Sequence, residues 1–186
     1  MNHTGETMLN RDQTVLVIID VQGKLATLMH GHENLFKNLE RLVAGCRILD
    51  IPVIWLEQNP LGLGPTIPEI RDQLADLTPI SKMSFSCCRN DEFSAALNES
   101  GRHQVLVAGI ETHICVYQTV ADLLRDGYGV HLVTDAVSSR TAANRDLAIG
   151  KMAAMGAELT GVEMALFEML GVAEGKEFRK ILKIIK

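Results

Sequence analysis

Asp20, Lys82 and Cys115 are the residues whose types and positions could together generate a nucleophile. Cys115 lies in VAGIETHICVY, running from Val107 to Tyr117, just past an apolar stretch and in the first turn of the helical pattern that follows. Unpaired backbone N–H groups at a helix start favour negative charge, so a thiolate there is stabilised. A free thiol has a pKa of roughly 8.5 and is little ionised at neutral pH, so a nearby base is needed as well. Asp20 directly follows Val15-Leu-Val-Ile-Ile, which would set its carboxylate at the carboxyl edge of a strand. Lys82 stands in TPISKMSFS, within a long loop-like region. Each also has a plain alternative: a small buried apolar group for Cys115, a turn or helix cap for Asp20, a solvated surface charge for Lys82.

The elements that must hold these residues are readable from periodicity. Short apolar runs rich in β-branched residues, at 15–19, 52–56, 105–108, 130–134 and more weakly 157–160, predict strands. Being apolar on both faces, they suit a parallel sheet covered on each side. Between them, helical stripes recur: Leu35, Leu39, Leu42 and Cys46; then Val116, Val120 and Leu123, stopped by Asp126-Gly127; then Ala148, Met152 and Met155, closed by Gly156. The alternation predicts an α/β fold, doubly wound in three α/β/α layers around a mainly parallel sheet, as one domain over residues 1–186. The longest irregular piece, Gln58 to about Phe85, carries Pro60, Pro65, Pro68 and Pro79 with Gly62 and Gly64, and loops of that length tend to be functional. Ligands of such folds sit at the carboxyl ends of the strands.

Composition removes several function classes. A net charge of −5 offers no basic surface for a phosphate backbone, so no nucleic-acid partner is expected. No run approaches the ~20 apolar residues of a membrane span, and residues 1–12 are polar, without the apolar core of an export signal. A cytoplasmic location and reduced thiols are therefore expected. Cys46, Cys87, Cys88 and Cys115 lack the paired spacing of a zinc site, and neither metal nor cofactor is expected. The adjacent Cys87 and Cys88 read as packed or idle thiols.

Taken together, Asp20 with Gln22, Lys82 ahead of Ser84-Phe85, and Gly109-Ile-Glu-Thr-His-Ile-Cys-Val resemble the three motifs of the isochorismatase-like cysteine hydrolase superfamily, in order, spacing and context. The resemblance covers nearly the whole chain. Glu57-Gln-Asn-Pro, Leu63-Gly-Pro-Thr-Ile-Pro-Glu and the tail from Phe178 to Lys186 are similar to the branch of isochorismatase-domain-containing proteins. It implies a small-molecule substrate with an amide-like C–N bond, cleaved through a Cys115 thioester, with Asp20 as base and Lys82 as electrostatic partner. It also implies a cis peptide between Ile110 and Glu111, backbone N–H groups of Glu111 and Cys115 as the oxyanion hole, and a homo-oligomer. Nicotinamidases of the superfamily carry metal-binding histidines after the second strand, where this chain reads Leu56-Glu-Gln-Asn-Pro with no histidine between His32 and His103. True isochorismatases generally lack the cysteine, so Cys115 argues against vinyl-ether cleavage.

Gln22, Leu25, Glu57, Gln58, Phe85 and His113 sit on or beside these motifs and are expected to shape a substrate pocket. Leu25 and Phe85 have core packing as the alternative, Glu57 a bond to backbone, and His113 solvation near the helix start. Two other classes stay open: a redox or acyl-accepting thiol protein, and a non-catalytic oligomeric binding protein on the same fold. Asp20 separates the first of these from a hydrolase, because an anionic neighbour serves a base mechanism but opposes a redox thiolate. The amphipathic tail from Lys176 to Lys186 could pack on its own domain or on a neighbour.

Overall fold

The computed structural model describes residues 8–186; of the polar segment 1–12, residues 1–7 lie outside the described part. Strand β1 (Thr14–Ile19) leads through α1 (Gly23–Thr27) to α2 (His32–Ile48), and β2 (Val53–Gln58) to the short α3 (Pro60–Leu63) and α4 (Pro68–Arg71). Strand β3 (Ile80–Lys82) precedes α5 (Asp91–Ser100), and β4 (Gln104–Ile110) runs through a π-helical turn at Thr112–Val116 into α6 (Tyr117–Arg125). The chain continues as β5 (Gly129–Ser138), α7 (Ala142–Ala154), β6 (Glu158–Thr160), α8 (Val162–Leu170) and α9 (Gly175–Ile185).

All six strands pair in parallel, in the order β3-β2-β1-β4-β5-β6. The chain winds outward from β1 to one side, then returns to wind outward on the other. That puts the switch in direction between β1 and β4, where open α/β sheets leave a crevice. The three-layer α/β/α architecture expected from the alternation is present. The piece from 58 to 85 is less irregular than its prolines suggest, for it holds α3, α4 and β3. With only three residues, β3 is too short to show a period.

Strand β1 is buried along all six residues, and its alternate side chains feed two cores. Leu16 and Ile18 pack with Leu39, Leu42, Leu166 and Ile181 of α2, α8 and α9. Val15, Val17 and Ile19 face Phe93, Leu97, Val120, Leu123 and Met152 of α5, α6 and α7. The tail helix α9 thus packs on its own domain, with Ile181 fully buried and Glu177 paired to Arg11 at 3.0 Å.

One backbone approach sets the crevice. Gly109 pairs with Ile19 across β1 and β4 at φ 123°, and a Cβ there would run into the Ile19 backbone. Only glycine tolerates both the angle and the contact. Gly109→Ala is expected to lower the unfolding free energy by at least about 2 kcal/mol, read by urea titration. A change within about 0.5 kcal/mol, the range of an ordinary surface substitution, would contradict the close approach.

Candidate active site

Asp20 follows the last residue of β1 in the left-handed region, at φ 56°, while its N–H still donates to the Leu56 carbonyl at 3.1 Å. Aspartate is among the few non-glycine residues that enter this region readily. Lys82 ends β3, and its register partner Gln58 ends β2, so both side chains leave the sheet at the same level. The Lys82 Nζ donates to Asp20 Oδ2 at 2.7 Å, to Gln58 Oε1 at 2.8 Å, and to the carbonyls of Ser84 and Phe85 at 3.2 and 3.3 Å. Its side chain is 0 % exposed and that of Asp20 3 %, so the pair is removed from water. Four acceptors surround an ammonium with three protons, which leaves it no capacity to bind a substrate group as well.

The other Asp20 oxygen, Oδ1, is buried without a conventional hydrogen-bond partner among the described residues. Besides Lys82, the Cys115 thiol and the Gln58 backbone N–H neighbour this carboxylate and favour its charged form. Cys115 projects from the π turn, whose opening closes when Glu111 O accepts from Ile114 N at 3.0 Å and Val116 N at 3.3 Å. The Ile110–Glu111 peptide at the start of that turn is cis. Three strand ends thus bring Asp20, Lys82 and Cys115 together.

The electrostatics differ in one respect from the sequence-based expectation. The start of the helical segment does not leave Cys115 with a depressed pKa. Burial, reinforced by the negative charge of Asp20, pushes the thiol up to about 12. Burial also raises Asp20, against the opposing pull of Lys82. The resting site therefore holds a protonated thiol beside a carboxylate that desolvation has made more basic. Cys46 and Cys87 are fully buried and raised by burial, and Cys88 is pushed up to about 12 for the same reason.

The expected pocket residues divide. Glu57 accepts from the Thr66 N–H at 2.6 Å and hydroxyl at 2.8 Å, so it pins the loop beyond β2. Gln22 is fully buried and ties the end of β2 to that loop through the Gln58 backbone and the Gly64 carbonyl. Gln58 touches the Lys82 ammonium directly. Leu25 packs half-buried against the core, Phe85 is exposed, and the His113 ring nitrogen meets the Ser139 hydroxyl at 2.9 Å.

Sequence reasoning missed two contributors. Thr119, one turn into α6, donates to the Cys115 carbonyl at 2.7 Å and accepts from the Cys87 N–H at 3.0 Å, tying the segment after Lys82 to the turn that bears the thiol. Arg140 pairs with the Glu111 carboxylate at 2.9 Å. The signal for Arg140 was its place just beyond β5, hidden because that strand runs to Ser138 rather than stopping at Thr134. Among the described residues no group of three or more His, Cys, Asp or Glu is arranged to hold a metal ion.

A family model described as the isochorismatase domain matches residues 14–164. The secreted isochorismatase effector Isc1 of Phytophthora sojae is 38% identical over 93% of this chain and 84% of its own length. Isochorismatase domain-containing protein 2 of Danio rerio is 36% identical, covering 97% of this chain and 91% of that protein. Among solved structures, the MAR1 ribonuclease from Caenorhabditis elegans superposes with a TM-score of 0.89 at 37% identity, over 96% of this chain and 92% of that one.

Proposed function

Because the chain belongs to the isochorismatase family and has its hydrolase fold, we propose that it is a cysteine hydrolase cleaving an amide-like C–N bond of a small molecule. The observation that carries this reading is the buried Asp20 carboxylate, with Oδ2 on the Lys82 ammonium at 2.7 Å, Oδ1 without a hydrogen-bond partner among the described residues, and the Cys115 thiol as a neighbour. Asp20 takes the thiol proton as sulfur bonds to the substrate carbonyl carbon, while the backbone N–H groups of Glu111 and Cys115 hold the oxyanion. With the thiol held at about 12, a free thiolate does not accumulate, and proton transfer accompanies C–S bond formation. The tetrahedral adduct collapses by breaking the C–N bond, Asp20 returns its proton to the leaving nitrogen, and a Cys115 thioester remains. Water then gives a proton to Asp20 and attacks the thioester, and the C–S bond breaks to release the acid and restore the thiol. Lys82 keeps Asp20 ionised against its own desolvation.

The same geometry disfavours a redox thiol, since the charge of Asp20 works against a resting thiolate. Leu25, Phe85 and His113 remain the proposed pocket-lining groups, while Gln22 and Glu57 hold the loop after β2 and Gln58 holds the Lys82 ammonium. Homo-oligomerisation is part of this reading, supported by exposed Leu147 of α7, Met155 just past it, Leu159 of β6 and Met164 of α8, and light scattering on the pure protein tests it. No described helix is long and apolar enough to cross a membrane.

The test is turnover across simple amides, carbamates, ureides and nitriles, before and after dialysis against a strong chelator. Isochorismate and RNA belong in the same screen, because relatives are named for acting on them. The expected result is hydrolysis of a C–N substrate that survives chelation. Turnover of RNA alone, or activity lost on chelation and restored by metal, would overturn the reading.

A further inference from the structure

The turn that carries Cys115 begins with a carboxylate that the proposed mechanism leaves unused. Glu111 is nearly buried, its side chain 10 % exposed, four residues before the sulfur and on the same closed turn. Its carbonyl is locked by Ile114 and Val116, so the side chain cannot leave the site by a swing of the backbone. Arg140 reaches in from beyond β5 and binds Glu111 Oε1 through Nε at 2.9 Å, with its own side chain 56 % exposed.

We propose that Arg140 is a positioning residue that holds and neutralises the Glu111 carboxylate, so that Glu111 restrains the Cys115 thiol less than its bare charge would. The inference rests on Cys115 being the nucleophile. It is supported by the direction of the Glu111 effect, which, behind burial and the charge of Asp20, also raises the proton affinity of Cys115. Two carboxylates therefore bear on one thiol. Asp20 returns its influence as a proton acceptor; Glu111 has no such role and is compensated instead.

The other charged groups on elements packed against the turn have partners of their own. Lys82 of β3 is consumed by Asp20 and Gln58. Asp122 of α6 is engaged by Ser86, Arg89 and Arg125. On α7, Arg145 pairs with Asp146, and Lys151 lies over the Tyr117 ring at 4.7 Å. His113, in the turn itself, meets Ser139. Glu111 and Arg140 are thus the pair whose disruption changes the charge at the turn without dismantling the Asp20–Lys82 contact.

The test is the rate of iodoacetamide labelling at Cys115, followed by peptide mapping at neutral pH, in wild type, Glu111→Gln, Arg140→Gln, Arg140→Lys and the Glu111→Gln/Arg140→Gln double variant. A tenfold change in thiolate fraction is offset about threefold by the opposite change in intrinsic nucleophilicity. Glu111→Gln is expected to label faster, by about threefold for each tenfold gain in thiolate fraction, and Arg140→Gln to label slower. The double variant should return near the Glu111→Gln rate, and Arg140→Lys, which keeps the charge, near wild type. Opposite signs in the two single variants cannot come from mere loss of a structural contact, which would move both the same way. Two slow single variants, or no change in either beside a reactive wild type, would overturn this inference alone. A wild type whose Cys115 labels more slowly than the fully buried Cys46 and Cys87 would remove the nucleophile assignment and this inference with it.

Discussion

Cys115→Ala is expected to lower turnover by about 10^4-fold or more, and Asp20→Asn to do nearly the same. In the proposed mechanism the two act as one unit: the carboxylate has no task without the thiol proton, and the thiol, held at about 12, has no acceptor without the carboxylate. The Cys115→Ala/Asp20→Asn double variant should therefore be little slower than either single one. Asparagine is the right replacement for Asp20 because it also tolerates the left-handed φ of 56° at that position. The measurement is kcat/KM for whichever substrate the screen yields. Additive losses, or a Cys115→Ala variant with most of its activity, would mean that sulfur is not the attacking atom. In the wild type, kcat/KM should fall with acid as Asp20 takes up a proton, at a pH above the usual carboxylate range because burial raises this group.

Lys82→Met is expected to cost about 3–5 kcal/mol of stability at neutral pH, besides abolishing activity. Removing one partner of a buried pair leaves the other charge uncompensated, and here both side chains are at most 3 % exposed. Gln58 Oε1 and the carbonyls of Ser84 and Phe85 lose their donor in the same step. The pH dependence has a definite sign. Asp20 is already raised by burial, and without the opposing pull of Lys82 it rises further. A carboxyl whose folded pKa exceeds its unfolded value binds more protons in the native state. Its contribution is complete below the unfolded pKa and is lost as pH rises through the folded one. The variant should therefore regain stability on acidification relative to wild type, as followed by urea unfolding at mildly acidic and mildly alkaline pH. Adding Asp20→Asn should restore part of the loss at neutral pH, since it removes the stranded charge. A loss independent of pH would assign it to packing instead.

The parts of this site legible in the sequence were those that a strand end makes conspicuous. Asp20 interrupts an apolar run, and the run continues as β1; Cys115 follows another, and that run is β4. The sheet and its helices were equally readable, because both faces of the strands are covered and both leave apolar patterns. Lys82 was less so, since a three-residue edge strand among prolines has no period and reads as loop. Its neighbours were visible only as residue types. Nothing in the order of residues says that Gln22 spans from β2 to Gly64, that Glu57 holds Thr66, or that Thr119 joins Cys87 to Cys115. The Gln22–Gly64 and Thr119–Cys87 bonds join distant segments, and all of them are fixed only when the chain is folded. The protonation state of Cys115 was misjudged for the same reason: local helix geometry argued for a thiolate, and burial beside a carboxylate outweighs it.

The strand order also dictates when the site can exist. In the register between β1 and β4, Thr14 partners Gln104, 90 positions away, and everything between them belongs to the other half of the sheet or its helices. During synthesis Asp20 and Lys82 emerge well ahead of Cys115, and β1, apolar on both faces, waits with one long edge bare. Such an edge invites pairing with the wrong chain, and contacts this distant are slow to close. A ribosome-bound fragment ending before β4 thus exposes that edge while it holds Asp20 and Lys82 but not Cys115. A fall in the labelling rate of Cys115 marks the moment at which that exposed edge has found its proper neighbour, because burial then pushes the thiol up to about 12.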